Sequence, residues 1–137
     1  MRTLHFGLRV SDLQRSLAFY NAVGYTVIGT VEGTAYGNLT MLQLPGDEFV
    51  TIELVHGPAK AEAGPGAGFN HLVIQVESLE ATRADLAAKG IEPEPIEYPG
   101  GPAGPRTCWI TDPYGYRIEV LQWPDGHADG ITTADFA

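Results

Sequence analysis

Three pairs of landmarks recur at one spacing, and that duplication constrains the architecture of this chain more than any other feature. "LHFGLRVSDL" (4–13) and "NHLVIQVESL" (70–79) share a His, an alternating run through Val, and a helix start. "TIELVHG" (51–57) and "RIEVLQW" (117–123) share an apolar strand with a Glu inside it. His5 and His71, Glu53 and Glu119, and Gly24 and Gly90 each lie 66 positions apart (71 − 5, 119 − 53, 90 − 24). Duplication of a module of that length is the economical explanation.

Each module reads as strand, helix, then three strands. In the first, His5–Val10 alternates as a strand does, and Ser11 with Gln14 reads as a capping box with Ser11 at the cap. Leu13, Leu17 and Tyr20 mark one helical face, and Gly24 ends the helix. Strands are expected near 25–31, 38–44 and 49–56, with Pro45-Gly46-Asp47 as a turn. The second module repeats this with a strand over 69–76, Ser78 as cap, a helix to Lys89 and Gly90 after it. Its remaining strands are expected near 92–98, 106–111 and 116–123, the last entered by the turn Asp112-Pro113-Tyr114-Gly115. The organisation expected is one α+β domain: module 1–56, a Gly/Pro/Ala-rich linker 57–68, module 69–123 and a tail 124–137 without a period.

Period-two alternation sorts the polar residues by face. His5, Gly7 and Arg9 share a face opposite Phe6, Leu8 and Val10, and His71, Val73 and Gln75 lie opposite Leu72, Ile74 and Val76. Glu53 and Glu119 likewise oppose runs of Ile, Leu and Val. The apolar faces can pack on the helices, which leaves one potential ligand per strand on the other side. A lone strand His or Glu is ordinarily a hydrogen-bonded or solvated residue; His56, on the face opposite Glu53, and His127, in the tail, are read that way. Two His and two Glu on equivalent faces need something to hold them together. A divalent cation does so, and it offsets the cost of burying Glu119 among Ile118, Val120 and Leu121. An all N/O donor set suits Ni²⁺, Co²⁺, Zn²⁺, Mn²⁺ or Fe²⁺.

Composition narrows the partners. Seventeen acidic against eight basic residues give a formal charge of −9, so no basic stripe exists to bind nucleic acid or an anionic membrane. No apolar run reaches the roughly 18 residues of a membrane span. The single Cys108 cannot form an internal disulfide, suits a reducing cytoplasm, and reads as a small buried apolar residue.

These motifs resemble the vicinal oxygen chelate superfamily, most closely bacterial glyoxalase I (lactoylglutathione lyase), over about residues 1–123. "MRTLHFGLRVSDLQRSLAFY", "TIELVHG", "FNHLVIQVESL" and "TDPYGYRIEVLQ" carry the likeness. The resemblance implies paired βαβββ modules forming an eight-stranded cupped mixed sheet, the glyoxalase/bleomycin resistance/dioxygenase fold. It implies a homodimer with metal sites at the subunit interface, the metal held by His5, Glu53, His71 and Glu119. Ni²⁺ is implied ahead of Co²⁺ or Zn²⁺. The implied reaction turns a methylglyoxal–thiol hemithioacetal into S-D-lactoylthiol, with Glu119 as base, Glu53 as its counterpart and Arg9 on a substrate carboxylate. Glutathione-using members read E-L-x-x-N-W-G after the second ligand, whereas Glu53-Leu54-Val55-His56-Gly57 lacks the Asn and Trp. Their Lys before the seventh strand is also missing, and "PGGPAGPRTCW" offers only Arg106 as a substitute. The sequence therefore leaves the thiol, the native metal and the role of the tail open. Alternatives are another metal-dependent enzyme of the superfamily, such as an acyl-CoA epimerase, or a non-catalytic binding or resistance protein.

Overall fold

Two compact units account for the described residues, which in this computed structural model are 1–57 and 63–136. Part of the linker expected over 57–68, and the last residue of the tail, lie outside them. The first unit takes Met1–Phe69 together with the turn Asp112–Tyr116, and the second takes Asn70–Thr111 with the chain from Arg117.

In the first unit, β1 (Phe6–Arg9) leads to α1 (Leu13–Val23), then β2 (Thr26–Thr34), β3 (Gly37–Gln43) and β4 (Ile52–His56). The sheet order is β1-β4-β3-β2, with β1 parallel to β4 and the other neighbours antiparallel. Leu8, Val10, Leu42, Ile52 and Leu54 are buried together with Phe19 and Tyr20 of α1. Each such aliphatic side chain contributes about 1.5–3 kcal/mol of transfer free energy. Phe6, expected on the same face, is 41% exposed and packs instead toward the ring of Phe69. The N-cap of α1 is Asp12 rather than Ser11: its carboxylate accepts the Arg15 amide at 3.1 Å. Ser11 is diverted because its hydroxyl donates to Tyr114 Oη at 2.9 Å. Gly24 ends the helix as expected, with φ +128°, a conformation that L side chains rarely adopt.

The second unit runs β5 (His71–Gln75), α2 (Leu79–Ala88), β6 (Arg106–Thr111) and β7 (Arg117–Gln122). Its order is β5-β7-β6, with β5 parallel to β7, repeating the β1–β4 arrangement. Ser78 caps α2 by accepting the Ala81 amide, as its position predicts. Leu72, Leu79, Leu86, Cys108, Ile110, Ile118 and Val120 form the core, so Cys108 is the buried apolar residue expected. Among the described residues, seven strands lie in sheets of four and three where the sequence suggests eight. The strand expected at 92–98 is reduced to an isolated bridge, Glu97 with Thr107. Pro93 and Pro95 have no amide to donate, so only Glu94 and Glu97 reach β6, bonding Trp109 O and Thr107 O at 2.9 and 2.8 Å.

The tail, without a period in the sequence, is built on one side chain. Gln75 Oε1 accepts from Trp123 Nε1 and the Gly130 amide, both at 3.1 Å, while its Nε2 donates to Asp129 at 2.6 Å. His127 stacks on Trp123 with centroids 4.1 Å apart. Its Nδ1 meets Ala128 O at 2.6 Å and its Nε2 meets Asp135 Oδ1 at 2.5 Å. Both partners only accept, so the arrangement is complete only with the imidazolium, and these two bonds raise the His127 pKa above its ordinary value. A raised folded value means the contribution is fully present below about pH 6.5 and is lost as pH rises through that higher value. Trp123 emission, followed in a Trp109→Phe background, is therefore expected to titrate above about pH 6.5. Asp135→Asn should move its midpoint down; an unmoved midpoint would exclude the ion pair as the cause.

Candidate metal centre

His5 stands just before β1 and Glu53 second in β4. The parallel register sets Gly7 beside Glu53 and Arg9 beside Val55, so His5, Gly7, Arg9 and Glu53 share the face away from the buried Leu8 and Leu54. His5 Nε2 lies 2.9 Å from Glu53 Oε1. A Cβ on Gly7 would come within 3.1 Å of Val55 Cγ2 and 3.9 Å of Glu53 Oε2, so glycine there keeps room beside the carboxylate. Arg9 is on this face too, its Nη2 donating to Tyr36 O at 3.1 Å.

The second unit repeats the pair with His71 at the start of β5 and Glu119 on β7, whose strand partner is Val73. Nε2 and Oε2 are 3.6 Å apart. Side-chain exposures are 35% and 17% for His5 and Glu53, and 34% and 17% for His71 and Glu119, so the two pairs meet solvent alike. Their walls differ. Opposite Glu119 on β6 stands Trp109, and opposite Glu53 on β3 stands Met41. The Trp109 ring meets His71 edge-on at 5.1 Å, and the Arg117 guanidinium lies 4.9 Å over the same indole. Arg117 also bonds Glu94 and Thr111 Oγ1. Trp109, Arg117 and Asn70 were not singled out from the sequence, although Arg117 alternates with Glu119 in "RIEVLQ" and so carried a face signal.

Arg106 does not join this face. It pairs with Gln122 across β6–β7 and alternates with the buried Cys108 and Ile110, which puts it on the helix side. Its guanidinium forks onto the Glu80 carboxylate, with Nη2–Oε2 at 2.9 Å, and reaches Gln122 Oε1 at 2.8 Å. That hydrogen bonding holds the Glu80 carboxyl down at about 2. The substrate-carboxylate role suggested by the sequence thus falls on a side chain already engaged in joining α2 to its sheet.

Of the four proposed ligands, the structure brings His5 to Glu53 and His71 to Glu119. Among the described residues no three His, Cys, Asp or Glu side chains gather to hold an ion. Each pair nevertheless offers an imidazole nitrogen and a carboxylate oxygen side by side, a donor set that fits a divalent cation of the Zn²⁺ or Ni²⁺ type. Neither pair contains a thiolate.

A family model for the Glyoxalase/Bleomycin resistance protein/Dioxygenase superfamily matches residues 2–120. The chain belongs to that superfamily. Its likeness to bacterial lactoylglutathione lyases also holds over almost the whole length. A probable lactoylglutathione lyase of Vibrio cholerae is 33% identical over 132 residues, covering 93% of this chain and 94% of the relative. The lactoylglutathione lyase of Salmonella typhimurium is also 33% identical, covering 91% and 95%. Among solved structures, the trypanothione-dependent glyoxalase I of Leishmania major is similar at a TM-score of 0.68 and 27% identity, covering 89% of this chain and 86% of that one. The α+β fold with its mixed sheets is thus the glyoxalase/bleomycin resistance fold. Among the described residues, no helix is long and apolar enough to cross a membrane.

Proposed function

We propose that this chain is a glyoxalase I-type carbon–sulfur lyase that isomerises the hemithioacetal of methylglyoxal and a thiol to an S-D-lactoylthiol. The duplicated His–Glu pair, equal in exposure and placed at equivalent points of the two units, is the observation that carries this reading. His5, Glu53, His71 and Glu119 would hold a divalent ion, Ni²⁺ ahead of Co²⁺ or Zn²⁺, in a homodimer whose sites take ligands from both chains. That ion would supply Lewis-acid stabilisation of negative charge developing on the two vicinal substrate oxygens.

The protein's own groups do the rest. Glu119 Oε2 takes the proton from the carbon bearing sulfur and hydroxyl and returns it to the neighbouring carbon, which began as the ketone. The hydroxyl proton passes to the former ketone oxygen as the carbonyl moves to the sulfur-bearing carbon, so one carbon is oxidised as its neighbour is reduced and no outside reductant is needed. Glu119 suits this role because no hydrogen bond among the described residues occupies it, and its 3.6 Å approach to His71 is past hydrogen-bond length. Glu53 is its pseudo-symmetric counterpart. Arg9 supplies local positive charge for a substrate carboxylate, which a chain of net charge −9 needs if it is to bind an anion. The trypanothione dependence of the Leishmania relative supports a thiol other than glutathione as one form of the reaction. The single buried cysteine suits work in the cytoplasm.

Two measurements test the reading in order. Purified protein is expected to carry divalent metal in stoichiometric amount. Reconstituted with Ni²⁺ or Zn²⁺, it should raise thioester absorbance when given methylglyoxal and glutathione or trypanothione. Absence of activity with every metal and thiol pair would overturn the lyase assignment, and absence of bound metal would point to a non-catalytic binding protein.

A further inference from the structure

The two His–Glu pairs are alike in composition and exposure but not in how their imidazoles are held. In the first unit, His5 Nε2 lies 2.9 Å from Glu53 Oε1, a close approach that by itself fixes no proton on either ring nitrogen. In the second unit, His71 Nδ1 lies 2.5 Å from Asn70 Oδ1. An amide oxygen only accepts, so here the proton belongs on Nδ1. Nε2 of His71 then carries a lone pair and faces Glu119, which at 3.6 Å accepts no bond from it. The edge of Trp109 at 5.1 Å, with Arg117 over that indole, bounds the ring on a further side.

We propose that Asn70 is a positioning residue that locks His71 in its Nδ1–H tautomer, presetting this imidazole for a cation. Ligand histidines are commonly oriented by a hydrogen bond from the second ring nitrogen, and loss of such a partner weakens metal binding by about 10–100-fold. Here the partner is the neighbouring residue in sequence. At the equivalent position of the first unit Leu4 precedes His5 and offers no side-chain acceptor. His71 can receive an ion as it stands. The functional meaning rests on the lyase reading above, but the tautomer itself does not.

Metal-free, ¹⁵N-labelled protein read by long-range ¹H–¹⁵N correlation at about pH 8, above the ordinary imidazole pKa, reports each tautomer directly. The expected result is Nδ1–H for His71. In Asn70→Ala, His71 should relax to a mixture of both forms, and Asn70→Asp, which keeps an acceptor at the same reach, should restore the single form. The Kd for Ni²⁺ should weaken by roughly 10-fold in Asn70→Ala and recover in Asn70→Asp. Wild-type His71 found as Nε2–H, or a tautomer or Kd unmoved in Asn70→Ala, would overturn the proposal. A wild type that binds no divalent ion defeats the lyase reading instead, and the metal-free spectrum still decides the tautomer.

Discussion

Glu119→Gln is expected to lower turnover on the order of 10³-fold, the scale of removing a positioned general base, while the far-ultraviolet circular dichroism stays as in the wild type. The argument starts from β7, where Glu119 sits between Ile118 and Val120, both fully buried on the opposite face. Gln has the same shape and keeps the strand pairings with Val73 and Trp109. What it loses is the capacity to accept and return a proton. Glu53→Gln is expected to cost less in kcat, because His5 Nε2 crowds Glu53 Oε1 at 2.9 Å, whereas His71 Nε2 stands 3.6 Å from Glu119 Oε2. Metal content measured alongside separates lost chemistry from lost ligand: a Glu119→Gln protein that keeps its ion yet does not turn over identifies the base. Near-normal kcat in that variant would remove Glu119 from the proton transfer.

Much of this was legible in the amino acids because it depended on periodicity. A repeat at one offset, strand alternation, Gly24 and Gly90 after helices, and Ser78 before one are local signals, and β6 falls where they put it. The departures occur where a distant side chain competes for a local role. Ser11 and Asp12 both suit an N-cap, and Tyr114, about a hundred positions on, takes the serine hydroxyl and the Asp12 amide. Pro93 and Pro95 carried their warning against a strand in plain view. Arg106 did too, since its parity with Cys108 and Ile110 places it under α2. The tail was not legible: its order hangs on one glutamine amide making three hydrogen bonds, and no periodicity encodes that. Face assignment identified His5, Glu53, His71 and Glu119, but alternation reports only which side a residue takes. It does not report how far apart strands set two side chains, and the structure joins the four only in pairs.

The largest expected loss of stability lies away from the pairs, at the turn that enters β7. Asp112 is 4% exposed and Tyr20, on α1, is fully buried. Asp112 Oδ2 accepts the Tyr20 hydroxyl at 2.8 Å, and Oδ1 accepts the Tyr114 and Tyr116 amides at 2.8 and 2.9 Å. Burial pushes the Asp112 carboxyl up and these hydrogen bonds pull it back, with a net rise. The Tyr20 hydroxyl is driven well above the ordinary phenol range by its burial and by that carboxylate, so it stays a donor. Asp112→Ala leaves one hydroxyl and two amides without their acceptor, which at about 1–3 kcal/mol for each unsatisfied buried group makes a loss of roughly 3–5 kcal/mol reasonable after local relaxation. For a chain of this size that corresponds to a Tm lower by roughly 10 °C or more. Asp112→Asn should recover most of it: the amide oxygen still accepts both backbone N–H groups, and Tyr20 can turn to accept from the new NH₂. Because a carboxyl raised in the folded state favours folding most when protonated, its contribution falls as pH climbs through the folded value. The gap between wild type and Asp112→Asn should therefore be most favourable to the wild type in acid and shrink toward neutrality. Equal melting of Asp112→Ala and wild type at neutral pH would show that the Tyr20–Asp112 bond does not hold this turn.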